Sequence, residues 1–190
     1  MSKKVVLIGD SIRMGYQDTV TRELAGRAEI IKHDENGGNS DRVLARLDEW
    51  VIPHAPDIIH LNCGLHDIRK DFGSDAAAVA LDRYADNLRT IFARLAAATE
   101  AQIIWANTTP VNEVWHHENK GFDRLSADVD AYNAAARTIV DDLGIAVDDL
   151  FAAVTEAGRD NLLVADGVHF SPEGCALLGK AVADCIAQYL

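Results

Sequence analysis

Lys4-Val5-Val6-Leu7-Ile8-Gly9-Asp10-Ser11-Ile12 is the stretch from which the rest of this chain is read. Four consecutive branched aliphatic residues run into Gly-Asp-Ser, the pattern of a buried strand ending in a turn that carries a hydroxyl. Open α/β sheets place their ligands at the C-terminal ends of parallel strands, which makes Ser11 a candidate nucleophile. A second reading stands beside it on this stretch alone: Ser and Asp after a strand commonly cap the next helix.

Outward from that strand, residues 14 to 26 have helix character and end at Gly26. Glu29 to His33 reads as a second strand, and Asn36-Gly37-Gly38-Asn39-Ser40 as a turn feeding a helix capped by Ser40 or Asn39. Val43, Leu44, Leu47, Trp50 and Val51 give that helix one apolar face, and Pro53 and Pro56 stop it. Asp57 to Gly64 is a third strand, leading into Leu65-His66-Asp67. Leu81, Tyr84, Leu88, Ile91 and Leu95 recur at alternating spacings of three and four, which predicts a helix over roughly 75 to 98. Gln102 to Asn107 is a fourth strand, followed by a long polar connection through Pro110, Trp115, His116 and Gly121. A further amphipathic helix runs from Leu125 to Leu143, and Ile145 to Asp148 makes a fifth strand. A helical segment near 149 to 157 follows, and Ser171-Pro172 opens the last helix as N-cap and first helical residue. Strands alternating with helices predict crossover connections and a parallel sheet, covered on both faces where its strands are continuously apolar. The expected architecture is a single three-layer α/β/α domain over residues 1 to 190.

The composition narrows the function classes. With 190 residues and 48% hydrophobic content the chain has enough to bury a sizeable core. Its 18 basic against 30 acidic residues, a net charge of -12, disfavour nucleic acid and anionic membrane surfaces as partners. No run of about 18 apolar residues exists to span a bilayer. Only Val5 to Ile8 follow Met1-Ser2-Lys3-Lys4 as an apolar run, too short for a signal-peptide core, so a cytoplasmic location is expected. Cys63, Cys175 and Cys185 sit in apolar contexts without metal-type spacing and read as reduced core cysteines.

Four strand or loop ends carry groups that could converge: Ser11, Gly38, His66, and Asp166-Gly167-Val168-His169. A serine nucleophile needs a base, and the base needs a partner that fixes its tautomer. Asp166, three residues before His169 in a glycine-containing loop, can fold back towards that imidazole. The oxyanion formed on attack needs N–H donors, and Gly38 lets its backbone approach closely. Asp10, Asp67 and Asn62 read as structural polar groups that brace loops or a strand. Glu113, His116, His117 and Glu118 could suggest a metal, but the adjacent His116-His117 pair has no helical i, i+4 spacing and the segment reads as a loop. A substrate-cleft rim with Trp115 and Phe122 as apolar walls and His116 as a polar contact is the preferred reading, with a solvated loop next to it.

Gly9-Asp10-Ser11-Ile12, Gly38, Gly64-Leu65-His66-Asp67 and Asp166-Gly167-Val168-His169, in this order along nearly the whole chain, resemble the GDSL or SGNH hydrolase superfamily. The resemblance implies a flavodoxin-like fold with a five-stranded parallel sheet, hydrolysis of an ester, and no cofactor or metal. It implies Ser11 as nucleophile, His169 as general base, Asp166 as its orienting carboxylate, and the N–H groups of Ser11 and Gly38 as oxyanion donors. Gly37 competes with Gly38 for the second of these. One position departs from the family's Gly-x-Asn-Asp block: His66 stands where the asparagine that donates to the oxyanion is usual. A neutral imidazole supplies one N–H and an imidazolium two, so His66 is read first as a substitute donor, then as a structural histidine at a strand end, and last as the mark of a decayed site.

The expected activity is therefore that of a serine esterase on a small-molecule ester, a short-acyl ester of a carbohydrate or metabolite first, with lysophospholipase or thioesterase activity next. A silent carbohydrate- or protein-binding member and a flavin or nucleotide binder are the readings from other classes, the latter without a Gly-x-Gly-x-x-Gly loop to cradle phosphate. Hydrolase and acyltransferase are not separable from the sequence.

Overall fold

The computed structural model describes residues 2–190. Strand β1 (Lys3–Ile8) runs into helix α1 (Ser11–Glu23), then β2 (Ala28–Lys32), α2 (Ser40–Trp50) and β3 (Ile58–Leu61). After β4 (Lys70–Asp71) come α3 (Leu81–Ala98), β5 (Gln102–Ala106), α4 (Glu113–Asn119) and β6 (Phe122–Asp123). The chain ends with α5 (Ser126–Leu143), β7 (Ala146–Asp148), α6 (Leu150–Glu156), α7 (Arg159–Leu162) and α8 (Pro172–Ala187).

Five strands form one parallel sheet in the order β2-β1-β3-β5-β7, the flavodoxin-like arrangement expected from the sequence. Helices α1, α6 and α8 pack together in one layer, and α2, α3 and α5 in the other. Val5 to Ile8 are buried on both sides, as are Ile58, Ile59 and Leu61 on β3, which is why these strands show no polar alternation. The direction of chain growth reverses between β1 and β3. Such a switch point opens a crevice at the C-terminal strand ends, where the candidate site lies.

Several boundaries differ from the sequence reading. Helix α1 begins at Ser11 rather than residue 14, because the Asp10 carboxylate caps it by accepting the Ile12 N–H at 2.9 Å. Asn39, not Ser40, caps α2, accepting the Arg42 N–H at 3.0 Å. Helix α3 starts at Leu81, not 75, since the N–H groups of Ala78 and Val79 donate to Arg69 and Asp67 carbonyls instead of building a helical turn. The polar connection after β5 contains α4, capped by Asn112 through the Trp115 N–H at 3.1 Å. It also contains β6, which pairs antiparallel with β4. Asn62 is structural as expected: its amide donates to the Ala106 carbonyl at 2.8 Å and ties the end of β3 to β5.

A groove of about 530 Å³ between α3 and α5, at the N-terminal ends of β5 and β7, lies at the opposite end of the sheet and carries none of the candidate residues. No helix among the described residues is long and apolar enough to cross a membrane.

Candidate active site

Because Asp10 takes the cap position, Ser11 is the first residue of α1. Its N–H lies in the first helical turn, where no intrahelical acceptor is available. Its hydroxyl points across to the loop before α8, where Ser11 Oγ lies 2.8 Å from His169 Nε2. Asp166 has folded back as its spacing predicts. Its Oδ1 accepts the N–H groups of Val168 (3.0 Å) and His169 (2.9 Å), and its Oδ2 lies 2.6 Å from His169 Nδ1. Facing a carboxylate, Nδ1 carries the ring proton, which leaves the Nε2 lone pair towards the Ser11 hydroxyl. Burial acts to raise the Asp166 pKa, but the hydrogen bonds from the His169 ring, the two N–H groups and Lys120 hold it well below the usual carboxylate range. Lys120 Nζ sits 3.1 Å from Asp166 Oδ2. This hydroxyl, imidazole and carboxylate form one hydrogen-bonded chain along which the serine proton can pass to the ring.

The turn bearing Asp166 is seated on α4. Asn112 donates its N–H to the Gly167 carbonyl at 2.8 Å, and the His116 ring donates from Nδ1 to the Asp166 carbonyl at 3.0 Å. Gly167 has φ +73°, and a Cβ there would come within 2.4 Å of the Asn112 carbonyl oxygen. His116 corrects the sequence reading: it is on a helix rather than a loop, has no exposed surface, and so supports the turn instead of lining a cleft rim. Burial pushes its pKa down, in keeping with a neutral ring that accepts from Arg124 Nη1 at 3.4 Å and meets the Phe122 ring edge-on at 5.2 Å. Trp115 and Phe122, the two expected walls, are both half-buried beside this turn and β6.

The loop after β2 supplies Gly38. The Gly37 N–H is committed to the Gly9 carbonyl at 3.0 Å, and a Cβ on Gly37 would lie 2.6 Å from that same oxygen. Gly37 is thus the close-contact residue of the pair, and its N–H is not free to serve a ligand. The Gly38 N–H donates to the Asn36 side-chain carbonyl at 2.8 Å. Arg13, which the sequence reading passed over, holds this loop in place. Its buried guanidinium donates to the carbonyls of His33 (2.6 Å) and Glu35 (2.7 Å).

After β3, a tight turn anchored by the Asp67 and Ile68 N–H groups on the Gly64 carbonyl presents His66, half-buried and without a protein hydrogen-bond partner among the described residues. Burial lowers its pKa; Asp10 opposes this, while Arg124, His169 and Arg69 add to it, so the ring is neutral near pH 7. Asp67 braces the loop as expected, accepting from the Ser40 N–H (2.9 and 3.1 Å) and hydroxyl. Arg124, also missed from sequence, donates from Nε to the Leu65 carbonyl at 2.5 Å. Among the described residues no three His, Cys, Asp or Glu side chains gather in a metal-binding cluster.

The model of the GDSL-like lipase/acylhydrolase family matches residues 7–177. No curated protein sequence matches as a relative. A lipase/acylhydrolase from Enterococcus faecalis shares the fold with TM-score 0.82 at 24% identity, over 98% of this chain and 96% of that one. Axe2, an acetylxylan esterase from Geobacillus stearothermophilus, does so with TM-score 0.75 at 21% identity, over 97% and 94%. A third structure, the acetyl xylan esterase AlAXEase, gives TM-score 0.75 at 21% identity over 98% and 99%.

Proposed function

The chain belongs to the GDSL-like lipase/acylhydrolase family, and from that premise we propose that it is a serine esterase working through an acyl-enzyme intermediate. The observation that carries the proposal is the unbroken link from Ser11 Oγ through the His169 ring to Asp166. Ser11 attacks the ester carbonyl while His169 Nε2 takes its proton. Asp166 keeps the ring in the required tautomer and stabilises the imidazolium. His169 then returns the proton to the leaving alcohol, and water repeats the cycle on the acyl-enzyme. The oxyanion is received by the N–H groups of Ser11 and Gly38 and by one N–H of neutral His66. No step calls on a cofactor.

The substrate is a short-acyl ester, such as an acetyl ester, of a carbohydrate or small metabolite. Two of the similar structures are acetyl xylan esterases, which supports this choice. The test is labelling of Ser11 by a fluorophosphonate probe together with hydrolysis of p-nitrophenyl acetate. Ser11→Ala is expected to abolish both, and His66→Ala to lower kcat by about 10²–10³. A folded protein that the probe leaves unlabelled would overturn the nucleophile assignment.

A further inference from the structure

Arg124 is a buried cation with no direct ion-pair partner among the described residues. Only 6% of it is exposed, and no carboxylate among the described residues forms an ion pair with it. Its Nε is satisfied by the Leu65 carbonyl and its Nη1 only distantly by His116, while Nη2 has no protein acceptor among the described residues. Two carboxylates act on it only from a distance: Asp166 is engaged with His169 and Lys120, and Asp10 accepts the Ile12 N–H at Oδ1 while its buried Oδ2 has no hydrogen-bond partner among the described residues. Burial pushes the guanidinium pKa down to about 10. Removing a cation from water is costly unless an anion compensates it.

A second arginine joins it. The β4–β6 ribbon sets Asp71 opposite Phe122, which brings Arg69 against the same aromatic ring. The guanidinium carbons of Arg69 and Arg124 lie 4.2 and 4.9 Å from the Phe122 ring centroid. The Arg69 side chain is 48% exposed, and its single partner among the described residues, Asp71 at 3.3 Å, is itself 80% exposed, so that pair binds it weakly. Leu65, which holds Arg124, directly precedes His66, and His116, which touches Arg124, holds the Asp166 carbonyl. Two under-compensated arginines therefore border the site of a protein whose net charge is -12.

We propose that Arg69 and Arg124, stacked on Phe122, form a subsite for an anionic group of the ester substrate, a carboxylate or a phosphate. Guanidinium groups bind both anions through paired N–H donors, and a substrate anion would supply the direct ionic contact that Arg124 lacks. This deepens the esterase reading and rests on it: the substrate is an ester of an acidic molecule rather than a neutral one.

Matched esters test the subsite. p-Nitrophenyl butyrate against mono-p-nitrophenyl succinate places the charge on the acyl side. Acetylated glucose against acetylated glucuronate and acetylated glucose 6-phosphate places it on the alcohol side and separates carboxylate from phosphate. In at least one comparison kcat/KM should favour the anionic ester by about tenfold or more at low salt, and Arg69→Gln should remove most of that ratio while Arg69→Lys keeps part of it. A ratio near one, or one that Arg69→Gln does not change, overturns the subsite and leaves the esterase reading standing. If no ester is hydrolysed and Ser11 is not labelled, the esterase reading falls. The subsite is then judged by thermal shift: millimolar inorganic phosphate or succinate should raise the melting temperature of the wild-type chain but not of Arg69→Gln, and no shift in the wild type rejects it.

Discussion

Asn36 competes for the Gly38 N–H that the proposed oxyanion would use. Its side-chain carbonyl already accepts the Gly38 N–H at 2.8 Å, so an oxyanion that uses this donor must share it or displace the amide. Asn36→Ala frees the N–H and is expected to raise kcat on p-nitrophenyl acetate a few-fold. Asn36→Asp places a carboxylate there instead, which holds the N–H more strongly and repels the oxyanion, so kcat should fall by about tenfold or more above the carboxylate's pKa and recover on acidification. Steady-state kinetics from pH 4 to 8 on both variants check this. A fall in Asn36→Ala as large as in Asn36→Asp would mean that the turn made by Asn36 positions Gly38 rather than competing for it. At this scale the sequence was legible where a residue's partner is local or its motif compact, as with Ser11 and with Asp166 three places before His169. Arg13, Lys120 and Arg124 were not, because their partners lie far away in the chain. Arg124 reaches a carbonyl 59 residues distant, and no local pattern announces such a contact.

Among the elements, α4 has the largest hidden role. With seven residues and only His116 fully buried, it has no apolar period to detect, and its polar composition reads as a loop. Yet its N-cap Asn112 and its His116 clamp the Gly167 and Asp166 carbonyls and so fix the turn that aims His169 at Ser11. The long helices and apolar strands were legible because burial imposes a period on them, whereas the start of α3 was set by tertiary hydrogen bonds that no period records. Gly167→Ala tests the clamp. The added Cβ must accept φ +73° and a 2.4 Å approach to the Asn112 oxygen, so the turn shifts away from α4. The strain should cost about 1–3 kcal/mol of stability, read as a lower melting temperature. A shift of order 1 Å at the imidazole should cut kcat by about 10²-fold with KM little changed. An unchanged kcat would show that α4 does not set the position of His169.

Across the whole molecule, one buried carboxyl joins the site to the layer of α2 and α3. Asp67, in the loop after β3, accepts from the Ser40 N–H and hydroxyl at the start of α2, and the Asn87 amide on α3 donates to that hydroxyl at 2.9 Å. Burial raises the Asp67 pKa from 3.8 to about 7, against the lowering effect of the Ser40 hydrogen bonds. Between those two values the folded chain binds a proton at Asp67 that the unfolded chain has released, so its contribution to stability is complete below about pH 4 and is lost as the pH rises to about 7. His33, His66 and His116, whose pKa values burial lowers, act in the opposite sense: their contribution is present above the ordinary histidine value and is lost on acidification. A wild-type profile alone therefore mixes two opposed slopes. The difference between Asp67→Asn and wild type cancels the histidines and isolates the carboxyl. That difference should grow in favour of the amide variant from about pH 4 to 7 and then level, reaching about 4 kcal/mol at most. Chemical denaturation at each pH measures it, and a difference that stays flat would mean that Ser40 keeps the folded carboxyl as acidic as the unfolded one.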